Sequence, residues 1–355
     1  MSKLEKYDCT RTYDFNYENA PDLVEVEIPI IPGKWDFCGL PVDSPLGIPA
    51  GPLLNGRWLL YYASLGFDIL TYKTVRSRER ACYDLPNLQA VQTAQLTGEE
   101  LEVPAIQEMK GSWAVSFGMP SKSPEIWRAD IEDTRHQLPA GKLLVVSVVG
   151  TIQEGWSIDD LADDYARCAR WAVESGADAV ETNFSCPNVS TCDGQLFQEL
   201  ESVRTVTSRV RQEIGSVPYI IKIGQVDCSD RAAALLDAAG ESIDGVAMTN
   251  SIATKVIDAD GELLFDGQRR GICGDAIRET SIRQTAVFAE QAALWKRNLC
   301  LIGVGGASSV EHVRDYLLAG AGAVGLATAA MVDPKVGLKI RRDWASVMTS
   351  ESLPG

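Results

Sequence analysis

The stretch Glu181-Thr182-Asn183-Phe184-Ser185-Cys186-Pro187-Asn188-Val189 sets a thiol, a hydroxyl and two carboxamides on one short turn. A thiol can serve as base or nucleophile, and a carboxamide both donates and accepts, so a pair of them can read a planar ring with alternating carbonyl and N–H groups. The apolar run 177–180 precedes the cluster and predicts a buried strand that ends there. The plainer reading is a buried structural cysteine flanked by capping asparagines. Position favours the first reading: Lys73, Lys222, Asn250 and Ser251 also fall at the ends of apolar runs.

Apolar runs at 47–51, 69–74, 143–149, 179–184, 219–223, 245–250, 301–304 and 323–327 read as strands. Amphipathic stretches at 158–174, 196–214, 230–239, 277–295 and 310–319 read as helices, several opened by Ser or Asp and the last closed by Gly320. This alternation predicts an α/β protein with a parallel sheet, and eight strands predict a closed (β/α)8 TIM barrel. In such barrels the chemistry projects from the C-terminal strand ends, where the residues above fall. Residues 1–43, polar and strand-poor, are expected to be an N-terminal extension packing on the barrel. Residues 44–355 then form a single barrel domain, with an excursion at about 77–140 covering its top and carrying a core-like piece at 113–117.

Three glycine loops meet the last strand ends. Gly303-Val304-Gly305-Gly306-Ala307-Ser308-Ser309 follows the seventh strand, Gly325-Leu326-Ala327-Thr328-Ala329 ends the eighth, and Gly271 and Gly274 lie in the preceding loop. Backbone amides there can grip a phosphate, and the loops after strands seven and eight are the usual place for it. No G-x-G-x-x-G opens a strand–helix unit, so a mononucleotide is favoured over a dinucleotide.

Composition removes other classes. In 355 residues, 33 basic against 49 acidic side chains give a formal charge of −16 and no basic stripe for nucleic acid. No run of about eighteen apolar residues reads as a membrane span, and the first residues lack a signal peptide's apolar core, so a soluble cytoplasmic protein is expected. Nine cysteines without a C-x-x-C pair argue for reduced thiols, and two histidines, His136 and His312, leave no multi-histidine metal site. No metal is expected.

Taken together, the chain resembles the dihydroorotate dehydrogenase family from about Ser44 to the last helix. The strongest match is the N-x-S-C-P-N signature at Asn183 to Asn188. It is supported by Ser44-Pro45-Leu46-Gly47-Ile48-Pro49-Ala50-Gly51, Tyr72-Lys73-Thr74, Ser116-Phe117-Gly118-Met119-Pro120, Ile221-Lys222 and Thr249-Asn250-Ser251. Cysteine at position 186 resembles the soluble, cysteine-base class. The resemblance implies an FMN-bearing enzyme of pyrimidine biosynthesis, usually a homodimer, that oxidises (S)-dihydroorotate to orotate. Cys186 would remove the C5 proton as the C6 hydride passes to flavin N5, with Lys73 and Ser185 as further catalytic residues. Ala50, Gly51, Lys73, Thr74, Asn183, Lys222, Asn250, Gly271, Gly274, Gly305, Gly306, Ala327 and Thr328 would hold FMN. Lys73, Phe117, Gly118, Met119, Asn183, Asn188, Asn250 and Ser251 would hold the substrate. The segment 187–195 would be the loop that covers the site. A free thiol titrates near pH ~8.5, so nearby positive charge, part of it from Lys73, would assist the base.

Two positions depart from the family pattern. Where it carries an orotate-binding Asn this chain has Val115, and its N-P-x-P-R stretch reads Asp84-Leu85-Pro86-Asn87 without the Arg. A missing contact to a buried polar substrate group costs about 1–3 kcal/mol. A different dihydropyrimidine or cyclic amide is therefore the alternative substrate class. A flavin-free barrel with Cys186 as nucleophile and a non-catalytic FMN-binding protein are the alternatives outside it. An electron-transfer partner subunit would be needed for NAD, because this chain offers no iron–sulfur ligand set.

Overall fold

The structure is a computed structural model that describes residues 4–185, 195–226 and 228–348. Eight parallel strands close a barrel: β1 (Leu46–Ile48), β2 (Ile69–Val75), β3 (Leu143–Val148), β4 (Ala179–Asn183), β5 (Tyr219–Lys222), β6 (Gly245–Met248), β7 (Cys300–Val304) and β8 (Ala323–Gly325). Each pairs with its neighbours in sequence, and β8 returns to β1 through Val324 opposite Leu46 and Gly325 opposite Gly47. All eight expected strands are present and the (β/α)8 barrel is the fold.

A helix follows every strand: α1 (Gly56–Ser64), α2 (Pro124–Gln137), α3 (Ile158–Glu174), α4 (Leu200–Ile214), α5 (Ser229–Ala239), α6 (Arg278–Leu294), α7 (Val310–Leu318) and α8 (Val336–Val347). Ser157 opens α3 with a reciprocal capping box to Asp160, and Ser309 caps α7, so the Ser signals act as anticipated. The helix expected over 196–214 is instead a 3-10 turn, Leu196–Gln198, and then α4, because Glu199 lies outside helical φ/ψ. Three of these eight helices escape the sequence pattern. The mostly apolar run of α1 (GRWLLYYAS) offers little polar alternation to read, and α8 and α2 lie beyond the strand–helix stretches that stand out. Helix α2 also shortens the excursion, since residues 124–137 belong to the barrel's helical ring.

What remains of the excursion joins residues 252–274, between β6 and α6, in a second sheet of five strands. Their order is Leu88–Ala90, Ser112–Val115, Arg270–Gly274, Ile252–Ile257 and Glu102–Pro104. Gly271 and Gly274, expected in a loop, are therefore in a strand, with Gly271 opposite Val115. At the opposite end of the barrel a hairpin, Trp35–Phe37 with Leu40–Val42, inserts buried Phe37 and Val42 into one apolar cluster with Ile69, Val145, Ile220 and Ile302. That plug leaves the C-terminal strand ends as the open mouth.

Asp68 pins the closure. Its carboxylate, 1% exposed, accepts from Ser44 Oγ (2.5 Å) and Lys142 Nζ (2.5 Å), and pairs with Arg341 of α8. Arg341 also donates to the carbonyls of Gly66 (2.7 Å) and Pro29 (2.9 Å). Removing one partner of a buried ion pair costs about 3–5 kcal/mol. Arg341→Met is therefore expected to lower the urea midpoint of unfolding markedly; an unchanged midpoint would mean that Ser44 and Lys142 satisfy Asp68 without it.

Candidate active site

The barrel mouth holds a cavity whose wall is contributed by seven of the eight strand ends, Val304 of β7 among them, and by the second sheet. It is lined by Ala50 and Gly51 after β1, Lys73 and Thr74 of β2, Asn183 of β4, Lys222 of β5, Asn250 and Ser251 after β6, and Ala327 and Thr328 after β8. Phe117, Gly118 and Met119 of the excursion complete it. The sequence placed all thirteen at a site, and the fold brings them to one cavity.

Both lysines are removed from water, at 7% exposure for Lys73 and 3% for Lys222. Lys222 Nζ donates to the Ala50 carbonyl (3.2 Å), which fixes its ammonium between β5 and the turn after β1. Lys73 Nζ lies 5.4 Å from the Phe117 ring centre and 5.8 Å from that of Tyr13, within cation–π range of both. Two buried ammoniums in one cavity favour anionic charge nearby, because the low local dielectric strengthens such attraction.

The carboxamides are held in place by their neighbours. Asn183 Oδ1 accepts from Ser185 N (3.1 Å), its carbonyl accepts from Tyr165 OH (3.2 Å), and its Nδ2 meets Met119 Sδ at 3.7 Å. Asn250 Nδ2 donates to the Ser185 carbonyl. Ser185 itself is 1% exposed and absent from the cavity lining, so its structural part is to carry the backbone that ties the two asparagines. Cys186, Asn188 and all of the segment 187–195 expected to cover the site, except Gln195, lie outside the described residues.

The glycines divide by position. Gly271, Gly274, Gly305 and Gly306 do not line the cavity; Gly274 and Gly306 bring backbones together, and a Cβ at Gly305 would meet the Ser281 and Ile277 side chains. Gly306 has φ +67°, and a Cβ there would come within 2.7 Å of the Gly274 carbonyl and 2.9 Å of Asp275 Cα. Only glycine at 306 lets the turn after β7 touch the end of the strand Arg270–Gly274.

Several lining residues carried no motif. Trp113 and Val115 share a strand face, and Leu88 stands opposite Val115. The 113–117 piece hinted at them, but its apolar character read as core. Cys273 lines the cavity under a contact from Thr328 Oγ1 (3.5 Å), and burial pushes its thiol up. Tyr7, from the N-terminal segment, had no sequence signal at all; its ring packs edge to face on Phe117 with centres 6.0 Å apart.

The fold and cavity thus define a (β/α)8-barrel protein whose ligand site lies at the C-terminal mouth, cationic on one side and apolar on the other. The chain belongs to the dihydroorotate dehydrogenase family, whose model matches residues 34–348. It is 32% identical over 366 residues to the dihydroorotate dehydrogenase of Dictyostelium discoideum, covering 94% of this chain and 95% of that one. It is 26% identical over 320 residues to the catalytic subunit of dihydroorotate dehydrogenase B (NAD(+)) of Desulforudis audaxviator, covering 89% and 92%. In fold it is similar to a crystal structure of DHODH in complex with ferulenol from Eimeria tenella, at a TM-score of 0.76 and 15% identity over 96% of this chain and 90% of that one.

Enzymes of this family are FMN-dependent oxidoreductases acting on CH–CH bonds. The cavity suits that cofactor. Lys222 would offer a buried cation to the electron-rich edge of the ring, apolar side chains flank the space, and Gly274, which meets Gly306, follows the Cys273 that Thr328 contacts, where small residues would grip a phosphate. No group of His, Cys, Asp or Glu arranged for a metal ion occurs among the described residues, and no described helix is long and apolar enough to cross a membrane. Gly306→Ala should weaken FMN binding by at least about tenfold, since a steric shift of a phosphate loop costs more than about 1.4 kcal/mol. Titration of the apoprotein by flavin fluorescence reads it, and wild-type affinity would exclude that loop from the cofactor site.

Proposed function

We propose that this protein oxidises (S)-dihydroorotate to orotate, with FMN as its cofactor and Cys186 as the base that takes the C5 proton. The observation that carries the reading is the convergence of Lys73, Asn183, Lys222, Asn250 and Ser251, from the ends of β2, β4, β5 and β6, on one cavity. The near full-length similarity to the Dictyostelium dihydroorotate dehydrogenase points the same way.

FMN, when bound, supplies the acceptor for the two electrons that leave C6. The chain's own part is to hold the ring flat, balance charge and remove the proton. Asn183 and Asn250, with Asn188, offer paired donors and acceptors to a pyrimidine edge. Lys222 offsets negative charge that accumulates on the cofactor, and Lys73 adds a positive field that favours the Cys186 thiolate. Segment 187–195 would close over the ring and exclude water. The same reading has the protein as a cytoplasmic homodimer, supported by the family resemblance. Use of NAD would require a partner subunit, as the name of the Desulforudis relative suggests for that protein.

A second reading, oxidation of another dihydropyrimidine, is favoured by one observation. Val115 lines the cavity beside Leu88, Trp113 and Phe117, so the wall expected to read the carboxylate-bearing ring is apolar. The two readings separate in one experiment: the purified yellow protein is mixed anaerobically with L-dihydroorotate and the oxidised-flavin absorbance near about 450 nm is followed. Rapid bleaching is expected. A spectrum that responds only to dihydrouracil or a related ring would select the second reading, and a colourless protein that takes up no FMN would end both. Cys186→Ala should retain FMN and slow reduction at least about a hundredfold, the scale for losing a general base; a near-normal rate would remove Cys186 from the chemistry.

A further inference from the structure

The plug at the base of the barrel brings together two thiols that the mouth does not use. Its strands, Trp35–Phe37 and Leu40–Val42, are joined by Cys38 and Gly39, at φ +53° and +86°. Positive φ at both positions is the type I′ hairpin turn, whose first place ordinarily goes to Asn, Asp or Gly. Cysteine there accepts a backbone conformation that side chains disfavour. Its Sγ reaches the barrel floor, so close to Gly245, the first residue of β6, that a Cβ on that glycine would stand 3.1 Å away. Gly245 is in turn the register partner of Cys300, the first residue of β7.

The two thiols meet beside that glycine. Cys38 donates to Cys300 Sγ from both its thiol and its backbone N–H. Both cysteines pack on the apolar cluster that the plug forms with Ile69, Val145, Ile220 and Ile302. The hydrogen bond from the Cys38 thiol, aided by the one from its N–H, holds the Cys300 thiol below its usual range against the opposing effects of burial and of Asp36. A thiol held in that way is the readier nucleophile of the two. Both residues are only partly buried, whereas Cys168 is enclosed in the core.

We propose that Cys38 and Cys300 form a reversible disulfide that staples the plug hairpin to the floor of the barrel, with hydrogen peroxide as the oxidant. The Cys300 thiolate attacks one peroxide oxygen, the O–O bond breaks, and the departing hydroxide takes up a proton as water while a sulfenic acid forms. Cys38 sulfur then attacks the Cys300 sulfur, the S–O bond breaks, and a second water leaves. The thiols together lose two electrons and two protons, peroxide is reduced to water, and a dithiol reductant reverses the bond. The hairpin forms a two-stranded sheet of its own, so side-chain packing holds it to the barrel. A covalent link from its tip to β7 closes a loop containing most of the barrel, and cross-links over long loops are the ones that restrict the unfolded chain most. The proposal stands apart from the choice of substrate.

The test treats the FMN-loaded protein with a small excess of hydrogen peroxide, denatures it in an alkylating reagent at acid pH, and maps the peptides by mass spectrometry. A linked pair of peptides carrying Cys38 and Cys300 is expected, absent after dithiothreitol and absent from Cys38→Ser. The thermal midpoint should rise by at least about 3 °C on oxidation, the scale for a long-range cross-link in a chain of this size. It should return on reduction, and it should not rise in Cys38→Ser. Exposed Cys9 reports that the oxidant has acted. Oxidised Cys9 with Cys38 and Cys300 both recovered as alkylated thiols, or either one carried on to a sulfinic acid without the link, would overturn the disulfide. A link that forms with no change of midpoint would overturn its part as a staple.

Discussion

The mouth of this barrel can be organised only because its base is locked, and the locking device is an aspartate placed one residue before each of three even-numbered strands. Asp68 precedes β2, Asp178 precedes β4 and Asp244 precedes β6. Each backbone N–H donates to the strand before it, at Leu46, Leu144 and Tyr219 respectively. Each carboxylate is met by a cation: Arg341 and Lys142 on Asp68, Arg135 on Asp178, Arg211 on Asp244. Asp178 and Asp244 also accept from the backbone of the preceding strand, at Leu144 and Tyr219 (both 2.8 Å). These contacts set the stagger of neighbouring strands where each begins, and in a parallel barrel the stagger at one end fixes which residues emerge at the other.

Fixed stagger places Asn183 opposite Lys222 across the β4–β5 pair, so a carboxamide and an ammonium arrive at the mouth side by side. It also lets short local bonds do the remaining positioning, with Ser185 linking Asn183 to Asn250 and the Ala50 carbonyl receiving Lys222. The polar half of the cavity is thus built on barrel strands. The apolar half comes from the second sheet and the N-terminal segment, which the barrel repeat does not specify. The cationic half carries the motif residues, while Val115 stands in the apolar half.

This division also explains what the amino-acid sequence revealed. Buried parallel strands are continuous apolar runs, so all eight were legible, as were the polar residues that interrupt those runs at their ends. The second sheet was not, because its strands are as short as three residues and pair across more than 150 positions of sequence, Val115 with Gly271 for example. Helix α1 was missed for a different reason: seven of its nine residues are buried, which erases the amphipathic period that reveals a surface helix. Gly271 and Gly274 looked like loop glycines since nothing local distinguishes a close backbone approach from a turn. Tyr7 could not be found from sequence, as its place at the cavity depends on packing against the distant Phe117.

The N-terminal segment that carries Tyr7 and Tyr13 forms no barrel strand, and its helix Tyr13–Glu18 is a single short element held by side chains such as Trp58, whose indole donates to the Asn16 carbonyl (2.8 Å). Substitutions there meet few constraints from the sheet. A change in ligand preference can therefore be introduced on this side of the cavity with the load-carrying barrel left as it is, whereas a comparable change at Asn183 or Lys222 would disturb strands on which the whole closure relies. The protein's evolvable surface and its rigid frame are separate pieces of one chain, meeting at a single pocket.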